Sequence, residues 1–344
     1  MFRLPVATNA LSPCSLMQRA QYTARGPIPE ASIDAVAFTL PPLAEGQARV
    51  QVLAAPSNPS EVLTLTGQYG MLPPLPAVGG NEGVGRVAEL GPNTQGPKVG
   101  TTVMLPVGAG TWATHLVAEA AKLVPLPGAA DPQQLSMLTV NPPTASLMLS
   151  EFVSLAPGDW VIQNAANSAV GGYVRQLAQL RGYRTVNVVR RESAVATVRA
   201  AGGDVVLVDG PDLPKRVAEA TGKAPVRLAI DAVAGASTDH LAACVATGGV
   251  LVNYGSLSGE PCRVSPASFV FRNLTLRGFW LALWFRTATP AQVQTLFGEL
   301  AVLVATGRLS ARVQATFDLP EIKQAVALAA AGERDGKVLI VPKA

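Results

Sequence analysis

The sequence predicts a two-domain α/β protein, a doubly wound parallel sheet of the Rossmann kind beside a mainly antiparallel β domain. Three observations carry that expectation. The 344 residues exceed one ordinary domain and suit two. The first third holds short Val- and Gly-bearing runs broken by Pro. The middle alternates strand-like and helix-like segments at the spacing of βαβ units.

In chain order, QARVQVLAA (47–55) alternates and is rich in Val, so it reads as a half-buried strand. GVGRVAELG (83–91) and TTVMLPV (101–107) are short apolar runs bounded by Gly and Pro, as antiparallel strands are. Pro-rich GMLPPLPAVGG (70–80) reads as loop. The middle starts with strand WVIQNAA (160–166), helix VGGYVRQLAQLRG (170–182) and strand TVNVVR (185–190). Helices near 193–201, 212–221 and 237–246 then alternate with strands 205–208, 227–233 and 249–255, and LTLRGFWL (274–281) adds one more strand. The tail offers a helix over 290–307, strand 313–319, helix 320–332 and strand 336–342. In DLPEIKQA, Asp318, Pro320 and Glu321 form a helix-start signal. A last strand after a sheet that already looks complete implies a return to the first domain. The expected division is 1–130 for the β domain, 131–286 for the Rossmann domain and 287–344 for the return.

Composition narrows the function. Hydrophobic residues make up 49% and charged residues 15%, with mean hydropathy +0.29, which excludes a disordered chain. No apolar run is long enough to read as a membrane span. Net charge is +4 without a dense Lys/Arg run, which favours an anionic substrate or cofactor over nucleic acid. The three cysteines, Cys14, Cys244 and Cys262, form no disulfide framework and no CxxC. With only His115 and His240 beside them, no metal site is expected.

Strand 160–165 runs into AANSAVGG (165–172) and then a helix, the setting of the dinucleotide loop. Its key positions are Ala166, Ser168 and Gly171. Small residues there let the backbone approach a pyrophosphate, and the helix N-terminus offers free N–H groups. The next strand ends in Arg190, Arg191 and Glu192. An NAD site places an acid at that strand end; two guanidinium groups suit a 2′-phosphate, so NADPH is expected. The bland alternatives are an ordinary βα turn and a solvated Arg pair.

From about Met17 to its end the chain resembles the medium-chain dehydrogenases/reductases, and within them the zinc-free trans-2-enoyl-thioester reductases of fatty-acid synthesis, with quinone oxidoreductases as near relatives. The segments that carry the resemblance are SNPSEVLTLTGQYG (57–70), LPAVGGNEGVGRV (75–87), GTWATHLV (110–117), NPPTASLML (141–149), the nucleotide loop with VVRRE, and NYGSLSG with LRGFWL (253–259, 276–281). Zinc alcohol dehydrogenases carry a His before the Glu of the GxE segment; here Asn81 precedes Glu82, which reads as a structural acid.

The resemblance implies a GroES-like β domain, a homodimer through the Rossmann sheet edge, and NADPH-dependent reduction of the C2=C3 bond of an enoyl-CoA or enoyl-acyl-carrier protein. The alternatives are an NADPH-dependent quinone or enone reductase and a non-enzymatic NADPH-binding protein. Tyr69 in TGQYG takes the family's proton-donor position, or else packs on the Pro-rich stretch. The family's cofactor contacts fall on Asn141, Asn167, Ser168, Ala169, Val170, Arg190, Arg191, Glu192, Tyr254, Gly255, Ser256, Leu257, Phe279, Trp280, Leu281 and Lys337. Asn58 is a candidate to hold substrate, or a turn starter. Trp112 and Trp284, with Trp280, line an acyl pocket or sit in plain core. Arg272, Arg277 and Arg286 form a solvated face or dock CoA phosphates or an acidic carrier protein. Residues 282–286 match the family least.

Residues 1–29 carry Arg3, Arg19 and Arg25 and no acid. They read as a first strand from Met17 behind an optional extension, or as a transit segment. A cytoplasmic, bacterial-type location is expected, with mitochondrial as the alternative if residues 1–16 are a transit segment.

Overall fold

The structure is a computed structural model that describes residues 17–332 and 334–343. The expectations for Cys14 and for an extension over 1–16 lie outside the described residues. In the first domain, β1 (Gln18–Tyr22), β2 (Asp34–Ala37) and β3 (Gln47–Ser57) precede helix α1 (Pro59–Thr66). Then come β4 (Ala77–Val78), β5 (Val84–Leu90), β6 (Thr102–Met104), β7 (His115–Glu119) and β8 (Val124–Pro125). The expected loop over 70–80 therefore contains a short strand. Ala77 and Val78 pair with Tyr22 and Gln21 of β1, a long-range pairing that Pro-rich composition hides.

The strand expected over 47–55 is β3, and it organises this domain. Its alternation buries Ala48, Val50, Val52 and Ala54, each at most 2% exposed. It pairs antiparallel with β5 and β7. Helices α2 (Pro132–Leu135) and α3 (Asn141–Met148) lead out of the domain.

The second domain runs β9 (Trp160–Gln163), α4 (Ala169–Leu180), β10 (Arg184–Val189), α5 (Val195–Ala200), β11 (Val205–Val208), α6 (Leu213–Thr221), β12 (Val226–Asp231), α7 (Ala236–Cys244), β13 (Val245–Asn253), α8 (Pro266–Val270) and β14 (Thr275–Gly278). All six strands are parallel, in the order β11-β10-β9-β12-β13-β14. The order reverses between β9 and β12, and a crevice at such a switch point is where open α/β sheets bind ligands. The sequence expects strand up to residue 281, but the chain leaves β14 at Gly278 and forms helix α9 (Leu281–Thr287). Its aromatic residues and missing capping signals conceal that helix.

Helix α10 (Pro290–Ala305) lies in the stretch expected to return to the first domain, yet it packs on α2 and α3. Its buried side chains Leu296, Phe297, Leu300, Leu303 and Val304 share one core with Leu135, Leu147 and Leu177. The antiparallel sheet is rejoined only by β15 (Val313–Phe317), α11 (Ile322–Ala330) and β16 (Lys337–Ile340). The DLPE signal forms a capping box: Asp318 accepts from the Leu319 N–H at 2.8 Å and Glu321 from the Asp318 N–H at 2.9 Å. Strand β16 pairs antiparallel with the end of β3, Val338 opposite Ser57 and Ile340 opposite Ala55. That register sets Lys337 beside Asn58.

Because Leu300 is 0% exposed in the core shared by both halves, Leu300→Ala should lower stability by about 2–5 kcal/mol. Urea unfolding followed by circular dichroism checks this.

Candidate active site

The nucleotide loop has the predicted form. Its chain turns at Ala165, which adopts a left-handed φ of 46°. Ser168 is the N-cap of α4, its hydroxyl accepting from the Gly171 N–H at 3.1 Å. A side chain at Gly171 would place Cβ 2.8 Å from the carbonyl oxygens of Ala165 and Ala166, so only glycine lets α4 start this close to the loop. Asn167 is exposed, with Ser168, Ala169 and Val170 half-buried beside it. Arg190 is exposed and Arg191 half-buried at the end of β10, followed by exposed Glu192.

Below this loop lies a polar scaffold that the sequence does not reveal. Asp231 ends β12 and is 0% exposed. Five donors meet its carboxylate: Asn164 Nδ2 at 2.6 Å, Thr238 Oγ1 at 2.7 Å, Asn253 Nδ2 at 3.0 Å, and the N–H groups of Val233 at 2.9 Å and Ala234 at 3.0 Å. Asn164 Oδ1 in turn accepts from the Ala232 N–H at 2.7 Å. The scaffold ties together the carboxyl ends of β9, β12 and β13 and so forms the crevice floor. A signal was available, since β12 and β13 end in Asp231 and Asn253 and Asn164 directly follows β9. Just beyond β13, the Tyr254 hydroxyl meets Ser168, and burial pushes its pKa above the ordinary value. Gly255 crosses tightly over Ala232, where a Cβ would lie 2.9 Å from the Ala232 carbonyl oxygen. Ser256 and Leu257 are exposed.

Tyr69 enters the crevice from the first domain. Helix α1 ends at left-handed Gly67, and the N–H groups of Gln68 and Tyr69 both return to the Leu63 carbonyl. The turn sets the half-buried Tyr69 ring against Trp280, ring centroids 6.1 Å apart and planes at 86°. Trp280 Nε1–H donates to Tyr69 Oη at 3.0 Å, joining the two domains. The Arg286 guanidinium lies over the indole ring at 5.8 Å and donates to Met71 Sδ.

A second junction is fully buried. Glu82, in the loop between β4 and β5, accepts from Asn58 Nδ2 at 2.9 Å on one oxygen. Its other oxygen accepts from the N–H groups of Thr139 at 3.0 Å and Val140 at 2.8 Å, immediately ahead of α3. Asn58 Oδ1 accepts from Asn141 Nδ2 at 3.0 Å and from Lys337 Nζ. Nearby Glu61 accepts from the N–H groups of Asn58 and Asn81. Burial raises the Glu82 carboxyl to about 7, opposed by the Lys337 charge and the Asn58 bond. Burial also lowers Lys337 to about 8, opposed by Glu82 and Glu61. Glu82 is thus structural, but as a bridge between domains.

The remaining candidates separate. Trp112 does not line a pocket: it is 1% exposed in the core of the first domain, with Nε1–H on the Pro56 carbonyl at 3.2 Å. Glycines at 79 and 80 make the room for its ring, a partnership no local pattern reveals. Trp284 is half-buried on α9 and packs edge-on to Phe285. Phe279 packs edge-on to Phe152, and Leu281 is buried in the shared core. Arg272 is no docking residue, because it donates to the carbonyls of Ala242, Ala243 and Val245 and holds the end of α7. Arg277 lies over the Phe152 ring. Among the described residues no group of three or more His, Cys, Asp and Glu could hold a metal ion, and no helix is long and apolar enough to cross a membrane.

Comparison with known proteins agrees with this architecture. The zinc-binding dehydrogenase family matches residues 169–298, and the alcohol dehydrogenase GroES-like domain matches residues 44–128. The mitochondrial enoyl-[acyl-carrier-protein] reductase of Rattus norvegicus is 38% identical over 283 residues, covering 80% of this chain and 76% of the relative. Its Caenorhabditis elegans counterpart is 36% identical over 314 residues, covering 88% and 90%. Among solved structures, a complex of Etr1p with NADP and crotonyl-CoA superposes with a TM-score of 0.86 at 26% identity, covering 94% of this chain and 99% of that one. A putative NADPH:quinone reductase from Bacillus thuringiensis gives 0.86 at 28% identity, covering 95% and 99%. Both of these enoyl reductases are mitochondrial, which overturns the expected cytoplasmic location. The acid-free, Arg-bearing first 29 residues also have the composition of a transit segment, a signal that the strand beginning near Met17 obscures.

Five donors on one buried carboxylate make the crevice floor sensitive to its loss. Asp231→Ala should cost about 3 kcal/mol or more of stability. Asn164→Ala should destabilise as well, and the double variant by less than the sum, because the two share a network. Chemical denaturation of the three variants tests both statements.

Proposed function

We propose that the chain, which belongs to the medium-chain dehydrogenase/reductase family, uses NADPH to reduce the C2=C3 double bond of a trans-2-enoyl thioester, carried on CoA or on an acyl-carrier protein. The observation that carries this reading is the Tyr69–Trp280 contact, which sets a phenol of one domain at the carboxyl end of the parallel sheet of the other. The residues fit the cofactor: small side chains and a capped helix start suit the pyrophosphate, and Arg190 with Arg191 suits the 2′-phosphate. Asn141 and Lys337 sit where the crevice is closed by the first domain and are further candidates to hold it. When bound, NADPH supplies the hydride that reaches the β-carbon.

The chain's own task is then the proton. Charge develops on the thioester oxygen, and the α-carbon needs a proton to complete the reduction. Tyr69 Oη supplies it. The Trp280 N–H occupies the phenol oxygen as a donor, which leaves the phenolic proton directed away from the indole, and it supports the oxygen once that proton has gone. The relatives' mitochondrial location extends to this chain. A homodimer through the β14 edge would cover the exposed run Phe269, Val270 and Phe271, which is 40%, 72% and 81% exposed. The second reading, an NADPH-dependent quinone or enone reductase, draws on the fold shared with the Bacillus thuringiensis protein.

The deciding experiment is NADPH oxidation with crotonyl-CoA beside 1,4-naphthoquinone, for wild type and Tyr69→Phe. We expect turnover of crotonyl-CoA and a loss of about 100-fold or more in the Phe variant. Turnover of the quinone alone overturns the enoyl reading in favour of the second one, and a silent Phe change with crotonyl-CoA still turned over overturns Tyr69 as the proton donor. Replacing Arg190 and Arg191 together by Ala should raise the KM for NADPH about tenfold or more while leaving that for NADH nearly unchanged.

A further inference from the structure

Glu82 is 0% exposed, so it offers no atom to a ligand. What it does offer is orientation. Its bond to Asn58 Nδ2 decides which way the Asn58 amide faces. With the NH2 group on the carboxylate, Oδ1 must face Lys337 Nζ and Asn141 Nδ2, as it does. The reversed amide would set its NH2 group against an ammonium and its oxygen against a carboxylate, and both contacts repel. The other oxygen of Glu82 fixes the backbone directly ahead of Asn141. Among the described residues, Asn58 Oδ1 is the one hydrogen-bond acceptor of the Lys337 ammonium, which carries three N–H groups and is 5% exposed. A buried cation with donors to spare is built to meet a further acceptor.

We propose that Glu82 is a positioning residue for dinucleotide binding: by locking the Asn58 amide and the entry to α3, it aims Lys337 and Asn141 at the bound cofactor. The inference rests on the cofactor reading under Proposed function. The charged and titratable groups around the pair are Glu61 on α1, Arg334 ahead of β16 and the Tyr173 hydroxyl on α4. Glu82 and Glu61 both support the Lys337 charge, and Arg334 opposes it. Lys337 sits near 8, so wild-type affinity for NADPH should fall as pH rises through about 8. Without the Glu82 charge the ammonium gives up its proton more readily, and the midpoint of that fall moves to lower pH.

The test is the dissociation constant of NADPH, read by cofactor fluorescence from about pH 6 to about pH 9.5, for wild type, Glu82→Gln, Lys337→Met and the double variant. Glu82→Gln should weaken binding about tenfold at neutral pH and lower the midpoint by about one unit. Added to Lys337→Met, it should weaken binding little further. A merely structural role would weaken binding equally at every pH and add fully to Lys337→Met; either result overturns the proposal. If Glu82→Gln does not fold, Asn58→Ala takes its place and must lower the midpoint in the same direction. A wild type that fails to bind NADPH at any pH overturns the cofactor reading itself, whereas wild-type binding with an unmoved midpoint overturns the role of Glu82 alone.

Discussion

A carboxylate taken wholly out of water has to be met by donors, and two such carboxylates govern how this protein is joined. Asp231 gathers the ends of three parallel strands, so the crevice has a rigid floor. Glu82 reaches from the β domain to the backbone ahead of α3, so the wall of the crevice is fixed relative to that floor. Neither could sit where it does without its donors. At Glu82 the Asn58 donor is in turn held in one orientation, because only one arrangement of its amide satisfies the acid on one side and the Lys337 cation on the other. Polar chemistry here sets geometry more than it adds stability.

The two domains meet through three kinds of contact. The apolar core that Ala54, Val84 and Met104 share with Leu147, Val161 and Leu177 supplies bulk. The buried Glu82–Asn58–Lys337 cluster supplies alignment. The Tyr69–Trp280 pair, half-buried at the opening, is the one junction of these three that a substrate can touch. The chemistry proposed for the chain uses the last, and the cofactor positioning proposed for it uses the second.

Much of this was legible in advance. Strands and helices between 160 and 255 follow from periodicity, because buried parallel strands and amphipathic crossovers leave plain patterns. Candidates at Asn58, Asn141 and Lys337 proved to be hydrogen-bonded together, with Asn58 at the centre, although they lie far apart in the chain. What stayed hidden is what depends on partners rather than on local pattern. Trp112 reads equally well as lining or as core until Gly79 and Gly80 are seen beneath it. Asp231 reads as an ordinary strand-end acid until its five donors are assembled. Helix α9 has aromatic residues and no capping signal, so only its packing makes it a helix.

The pairing of β16 with the end of β3 has a consequence for the order of events during synthesis. The strand that completes the first domain's sheet is made after the entire parallel sheet, and its partner is made before it. A growing chain can complete the parallel sheet as a unit while the antiparallel one still lacks β15 and β16, and a pairing of such wide sequence separation closes late. Lys337 leads that strand in. The wall of the crevice that holds Asn58 is therefore finished only once β16 has been made, so a nascent or clipped molecule lacking β16 would carry the loop after β9 without Lys337 beside Asn58.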